Sequence, residues 1–286
     1  MLVAQTENID VLIGGHSHTA MAEPLYLSNR AGKRVLVAQT GKYARNLGLV
    51  KIDLETLAAR SELVAVNSRV DDRIDPSLKA ILAPYRAGVY ESMHKPIGLA
   101  AMDFPQKSPQ LLNWVSDAVY SVGSKISDKP VDFAMYNVGG VRSGFEGDTV
   151  YEGVIITILP FSNRVEVVEI LGRDLLPAFE QMATIGGSGV SEQVRIDYEP
   201  QPADSNAKAK IVSATINGQA LDPERKYVVA MTDYLSGGGD YMPTLRNHNL
   251  VKYSKNNFYK DVLDLIESMS GPMISSPTPR MNPINK

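Results

Sequence analysis

The apolar positions of this chain change their period along its length. Up to about residue 70 they come in short β-branched runs, Val11 to Ile13, Arg34 to Ala38, Leu49 to Leu54 and Leu63 to Val66, with turns at Gly32 and Gly48. That zone reads as mostly β. Asp75-Pro76 then opens a helix, an acidic cap followed by proline in the first turn. Leu78, Ile81, Leu82, Tyr85, Val89 and Met93 recur behind it at helical spacing. The helix, over residues 71–93 with its approach, is a candidate link between two domains. From residue 94 the two periods mix. Ser108-Pro109 opens a second helix with Leu111, Leu112, Val115 and Val119 on one face. Strands are expected at Val131 to Tyr136, Val165 to Leu171, Ala209 to Ile216 and Tyr227 to Met231, and a late helix from Phe258 to Met269. The fold class that follows is α/β, a mixed α+β arrangement. The stretch after Ser270, rich in proline, serine and asparagine, is expected to be a flexible tail over 271–286.

Composition narrows the function classes. The chain has 286 residues, enough for one large domain or two ordinary ones, and its 44% hydrophobic and 21% charged content excludes a disordered or fibrous chain. With 29 basic against 32 acidic residues there is no electrostatic case for a polymeric nucleic-acid partner. No apolar run reaches the roughly 18 residues of a membrane span. The absence of cysteine excludes disulfides, thiolate zinc sites and a cysteine nucleophile. The opening Met1-Leu2-Val3-Ala4-Gln5-Thr6-Glu7 shows no signal-peptide pattern, and Ile9 to Ile13 follows abruptly as a buried-strand sequence.

Four short segments carry candidate chemistry, and three of them directly follow a strand-like run. Gly14-Gly15-His16-Ser17-His18-Thr19 sets two imidazoles two residues apart behind glycines that permit close approach. Such a loop is either part of a metal site or a polar turn with two surface histidines, because a catalytic metal needs at least three protein ligands. Asn137-Val138-Gly139-Gly140-Val141-Arg142 joins an amide, paired glycines and the planar fork of an arginine suited to phosphate or ribose oxygens. Without a partner motif it is also an ordinary glycine turn. Thr232 to Tyr241 contains three glycines between Tyr234 and Asp240, a flat ring and a hydroxyl acceptor, or simply a linker. Leu159-Pro160-Phe161-Ser162-Asn163 places an aromatic at a rigid turn or in a core.

Taken together and in this order, these segments resemble the 5'-nucleotidase family of metallophosphoesterases, which includes UDP-sugar hydrolases and 2',3'-cyclic-nucleotide phosphodiesterases. The resemblance to the family's carboxy-terminal substrate domain covers about residues 94 to 270, through Asn137 to Arg142, Leu159 to Asn163 with Leu171-Gly172-Arg173, and Gly238-Gly239-Asp240. Residues 1–70 resemble the end of its amino-terminal metal domain. The implied architecture is a substrate domain, a linker helix and a remnant of a metallophosphoesterase β-sandwich.

What the resemblance implies can be assigned by position. His16 and His18 correspond to ligand positions of a centre of two divalent metal ions, zinc or manganese. Arg142 corresponds to a substrate-clamping arginine and Asn137, with Gly139 and Gly140, to the segment that contacts the nucleoside. Phe161 and Tyr234 correspond to the two aromatics that sandwich the base, and Asp240 to the acid that binds ribose hydroxyls. The implied ligands are nucleotides or nucleosides, and the implied location is the periplasm or cell surface.

The departures from the family pattern set the expectations apart. Its Asp-x-His and Asn-His-Glu elements have no counterpart here, and only fifteen residues precede His16. No complete set of catalytic residues is therefore expected in this chain. The run Phe104 to Trp114 lacks the family's arginine and glycine, and Lys107 offers only a point charge in their place. Three readings remain: the carboxy-terminal portion of a nucleotidase-type hydrolase, an inactive nucleotide-binding module, or a subunit completed by a separate metal-domain chain. Self-association through an exposed sheet edge is a further expectation.

Overall fold

A computed structural model describes residues 2–70, 72–187, 189–201 and 207–284. Packing divides the chain into two units, residues 1–86 and 87–286, with the division inside a helix rather than beyond its end.

In the first unit the β-branched runs form strands. β1 (Val11–Ile13) pairs in parallel with β3 (Arg34–Ala38), which pairs antiparallel with β2 (Leu25–Ser28). β4 (Asn46–Ile52) and β5 (Ala59–Ala65) make a separate antiparallel pair. Among the described residues, the buried apolar side chains of this unit are Val3, Val35, Leu36 and Ala38, a thin core.

Helix α1 (Pro76–Met93) forms where its cap and spacing predict, but none of its residues is buried. Ile81 and Tyr85 are 62% and 71% exposed, so the expected apolar face exists without a cover. Its interior Pro84 further weakens it by removing a main-chain donor.

The second unit is built on a five-stranded sheet. Its strands are β7 (Phe133–Tyr136), β9 (Val165–Leu171), β10 (Gly189–Val190), β14 (Lys226–Thr232) and β15 (His248–Tyr253), lying in the order β10-β7-β14-β9-β15. β6 (Pro96–Leu99) and β8 (Thr149–Tyr151) form a small antiparallel pair. β11 (Val194–Glu199), β12 (Lys210–Ile216), β13 (Gln219–Ala220) and β16 (Met281–Pro283) form a four-stranded sheet. The helices are α2 (Pro109–Ile126), α3 (Glu152–Ile158), α4 (Gly172–Thr184), the single turn α5 (Asp233–Ser236) and α6 (Phe258–Glu267).

Period-two alternation sends the central sheet's side chains into two cores. Ala134, Tyr136, Val165, Val167 and Ala230 pack with Leu111, Val115 and Val119 of α2 and Val262 and Ile266 of α6. Phe133, Met135, Val168, Ile170, Val229 and Met231 pack with Leu175, Phe179 and Met182 of α4 and Val194 and Ile196 of β11. Ser108 starts α2 as expected, its hydroxyl accepting the Leu111 N–H.

The tail is the main correction. Residues 273–283 are fixed rather than flexible: Met273 is buried and hydrogen-bonded to Leu99 and Ala101, and β16 pairs in parallel with β11. Arg280 is 7% exposed and donates to both carboxylate oxygens of Asp117 at 2.7 Å and to the Val190 carbonyl at 2.9 Å. Asn113 donates to the carbonyls of Ser276 and Thr278 at 2.9 Å. A few polar anchors do here what apolar content does elsewhere, which is why composition misled. Residues 285 and 286 lie outside the described residues.

Two outcomes are expected. Arg280→Ala should lower unfolding free energy by about 2–4 kcal/mol, measured by urea denaturation, because it strips Asp117 and the Val190 carbonyl of a charged donor; no change would mean the tail is not anchored there. Hydrogen exchange should be faster for amides in residues 11–65 than in β7, β9 and β14, following the thin first core.

Candidate functional site

β7 and β14 run parallel, with Val229 opposite Phe133, so the chain leaves both at the same end of the sheet. β9 is antiparallel to β14, with Val165 opposite Thr232, so the segment leading into β9 reaches that end too. Three loops far apart in sequence, 137–142, 159–164 and 233–241, therefore converge. The carboxyl ends of parallel strands are a favoured place for ligands in such sheets.

Specific bonds hold the loops together. Asn163 Nδ2 donates to Asp233 Oδ1 at 2.7 Å, and the Asp233 N–H donates to the Arg164 carbonyl at 3.0 Å. The Arg142 N–H donates to the Ile158 carbonyl at 2.9 Å, and its Nη1 to the Gly139 carbonyl at 3.2 Å. The Arg142 guanidinium lies 5.5 Å from the centre of the Phe161 ring, a cation–π contact. Phe161 and Tyr234 are 44% and 43% exposed, so each ring keeps open surface.

Tyr234 and Asp240 form one unit: Tyr234 Oη donates to Asp240 Oδ1 at 2.7 Å and accepts from the Asp240 N–H at 3.1 Å. The hydrogen bond to Asp240, and secondarily partial burial, push the Tyr234 phenol above its usual pKa. Gly238 at φ 81°, Asp240 at φ 51° and Tyr241 at φ 63° all lie in the left-handed region. Two consecutive non-glycine residues there are a local strain of the kind that collects at ligand sites. Arg246 secures the loop by donating from Nε to the Gly237 carbonyl at 2.8 Å.

The paired glycines play different parts. A Cβ on Gly140 would lie 2.5 Å from Tyr136 Oη, so the absence of a side chain is a packing requirement. Tyr136 itself is buried, which raises its phenol pKa. A Cβ on Gly139 would instead meet only Asn137 Nδ2 at 3.6 Å and Asp240 Oδ2 at 3.8 Å. Gly139 thus leaves a side-chain-sized recess close to the Asn137 amide nitrogen and Asp240 Oδ2. The Asn137 side chain does not cap the turn that follows it.

Of the expected residues, Asn137, Gly139, Gly140, Arg142, Phe161, Tyr234 and Asp240 all lie on these loops. Gln106 and Arg246 were not among the expectations. Gln106 Nε2 donates to the Arg142 carbonyl at 2.9 Å and so positions that residue from behind. No local sequence signal marks either residue, because each acts on a distant main-chain carbonyl. Lys107 has φ 61°, also in the left-handed region.

His16 and His18 belong to the other unit, on the loop after β1. Both are exposed with left-handed backbone, φ 67° and 59°. Gln39 pins the loop, accepting from the Thr19 N–H at 2.9 Å and donating to Ser17 Oγ at 2.9 Å. Among the described residues no group of three or more histidine, cysteine, aspartate or glutamate side chains is placed to hold a metal ion. Two imidazoles alone do not fit a two-metal centre. No helix among the described residues is long and apolar enough to cross a membrane.

A mixed α/β domain carrying its polar site on loops at one sheet end is the class this geometry defines. The family described as 5'-nucleotidase, C-terminal domain matches residues 91–247, and the chain belongs to that family. It is 22% identical over 259 residues to the trifunctional nucleotide phosphoesterase protein YfkN of Bacillus subtilis, covering 84% of this chain and 17% of that protein. To the human 5'-nucleotidase it is 23% identical over 292 residues, covering 87% of this chain and 50% of the relative. The crystal structure of a 5'-nucleotidase precursor from Thermus thermophilus shares the fold over 100% of this chain and 61% of its own, with a TM-score of 0.76 and 20% identity. The chain thus spans half or less of the curated relatives just named.

The glycines give a paired expectation. Gly140→Ala should destabilise the protein by about 1–3 kcal/mol through the clash with Tyr136, whereas Gly139→Ala should stay within about 0.5 kcal/mol of the parent in denaturant melts. Equal effects would contradict the different roles of the two positions.

Proposed function

We propose that this chain supplies the nucleotide-recognition part of a 5'-nucleotidase-type hydrolase acting on phosphate esters in nucleotide catabolism. The observation that carries the reading is the convergence of Asn137, Arg142, Phe161, Tyr234 and Asp240 on three loops at one end of the β7–β14 pair. A base stacks on the Phe161 and Tyr234 rings, a sequence-tolerant interaction because every base has a π-face. The Gly139 recess receives the sugar, with Asp240 accepting from a hydroxyl and Asn137 supplying an amide. Arg142 is a planar donor fork for phosphate or ribose oxygens. Its guanidinium stands over the Phe161 ring, 5.5 Å from the ring centre, which ties it to the same loop cluster.

In a complete hydrolase, His16 and His18 would be this chain's contribution to a centre of two divalent metal ions, zinc or manganese, which would supply Lewis-acid activation of a water. The region 1–70 is then the end of a metallophosphoesterase β-sandwich, α1 the linker and the working compartment the periplasm or cell surface. A second reading, a nucleotide-binding module without chemistry of its own, is supported by the lack, among the described residues, of a group of three or more ligand side chains that could hold a metal with His16 and His18.

Binding by this chain alone should be weak. Two stacking faces contribute about 2–6 kcal/mol against a cost of about 4 kcal/mol or more for immobilising a free ligand, so a millimolar Kd is expected for adenosine and AMP. Saturation-transfer NMR should show contact at the base protons, weakened about tenfold in Phe161→Ala and in Tyr234→Ala; a signal indifferent to both changes would place the base elsewhere. The purified 286-residue chain, supplied with manganese or zinc, should not turn over AMP. Turnover lost in His16→Ala would overturn that expectation.

A further inference from the structure

A stacking platform does not need a hydroxyl, since phenylalanine offers the same face. The Tyr234 hydroxyl is nevertheless fully engaged, donating to Asp240 Oδ1 at 2.7 Å and accepting from the Asp240 N–H at 3.1 Å. A phenol holds its proton at neutral pH, so that oxygen is a donor there. Asp240 Oδ2 is the oxygen beside the Gly139 recess. Oδ1 thus already accepts one hydrogen bond before any sugar arrives, whereas Oδ2, the oxygen nearer Gly139, has none from Tyr234.

The consequence follows from how polar sites reject analogues. A site discriminates strongly against a ligand lacking a hydroxyl when the loss leaves one of its own polar groups unpaired. Here Oδ1 has a partner whichever sugar is bound. Resting on the nucleotide reading of the site, we propose that Tyr234 is a specificity-determining residue. Its hydroxyl competes with a ribose hydroxyl for Asp240 Oδ1, so the site grips the sugar through Oδ2 and accepts 2'-deoxynucleosides nearly as well as ribonucleosides. The aromatic ring and the acid that follows it are one device, and the hydroxyl between them sets how much of the sugar is read. Removing the hydroxyl frees Oδ1 for a second ribose hydroxyl, which a 2'-deoxyribose lacks.

The test is a ligand-observed NMR titration of the whole chain with adenosine, 2'-deoxyadenosine and adenine, comparing the parent with Tyr234→Phe, Asp240→Asn and Phe161→Ala. The parent is expected to bind the two nucleosides within about threefold of each other, and Tyr234→Phe to raise the preference for adenosine to about tenfold. Adenine, which has no sugar, should bind the parent and Tyr234→Phe equally, since the ring is kept. Asp240→Asn should abolish the added preference in a Tyr234→Phe background. A strong ribose preference in the parent, or a ratio unchanged by Tyr234→Phe, would overturn the proposal. So would an equal loss of adenine and adenosine binding in Tyr234→Phe, which would make the hydroxyl a support for the ring and nothing more. Those results leave the nucleotide reading standing as long as Phe161→Ala still weakens binding. Absence of any Phe161-dependent binding would overturn that reading and the selectivity proposal together.

Discussion

Two strands that run parallel at the centre of a sheet deliver the loops that follow them to the same end, and the pairing of β7 with β14 does this for segments remote in sequence. β9, entering antiparallel beside β14, adds a third. The pairing is held by burial on both faces: Phe133, Met135, Val229 and Met231 fill one core while Ala134, Tyr136 and Ala230 fill the other. A one-residue slip in any of these strands would exchange the two sets. The register of the core and the convergence of the loops are thus the same fact viewed at two distances. The left-handed backbone at Asp240 and Tyr241 is tolerable because the loop is anchored at both ends by the fixed sheet.

Within that frame the Arg142 side chain links two loops. It donates to Gly139 on its own loop and covers part of Phe161 on another. A cation against an aromatic ring is held in water by only about 0.5–1 kcal/mol, so the contact orients the guanidinium while leaving it cheap to move. Gln106, bonded to the Arg142 carbonyl, fixes the main chain without using the guanidinium.

Much of the fold was legible in the sequence because its period was strong. Val165–Leu171 has the expected limits, and α2 begins at the expected Ser-Pro cap. The strand Val194–Glu199 had no counterpart among the expected elements, although Val194, Ile196 and Tyr198 alternate inward, because Arg195, Asp197 and Glu199 dilute the apolar signal. In α1 the spacing gave the helix and misled about burial, since periodicity states which residues share a face and not what covers it. In the tail the reverse held, a polar sequence fixed by one arginine and two buried methionines. The candidate loops were legible from glycine and aromatic spacing. The Tyr234 to Asp240 bond was not, because it depends on a left-handed turn that brings residues six positions apart face to face.

The anchoring of residues 273–283 bears on how the second unit is made. Met273 bonds main chain at Leu99 and Ala101, near the start of that unit, while β16 takes its place beside β11. The pieces that meet there are translated far apart in time, so the ring of contacts cannot close while the ribosome still holds residue 283. Until then, β11 presents an unpaired edge and Asp117 lacks its cation. These contacts therefore close late in synthesis, and a nascent chain stalled before Arg280 would carry the loops of the site on a scaffold without them.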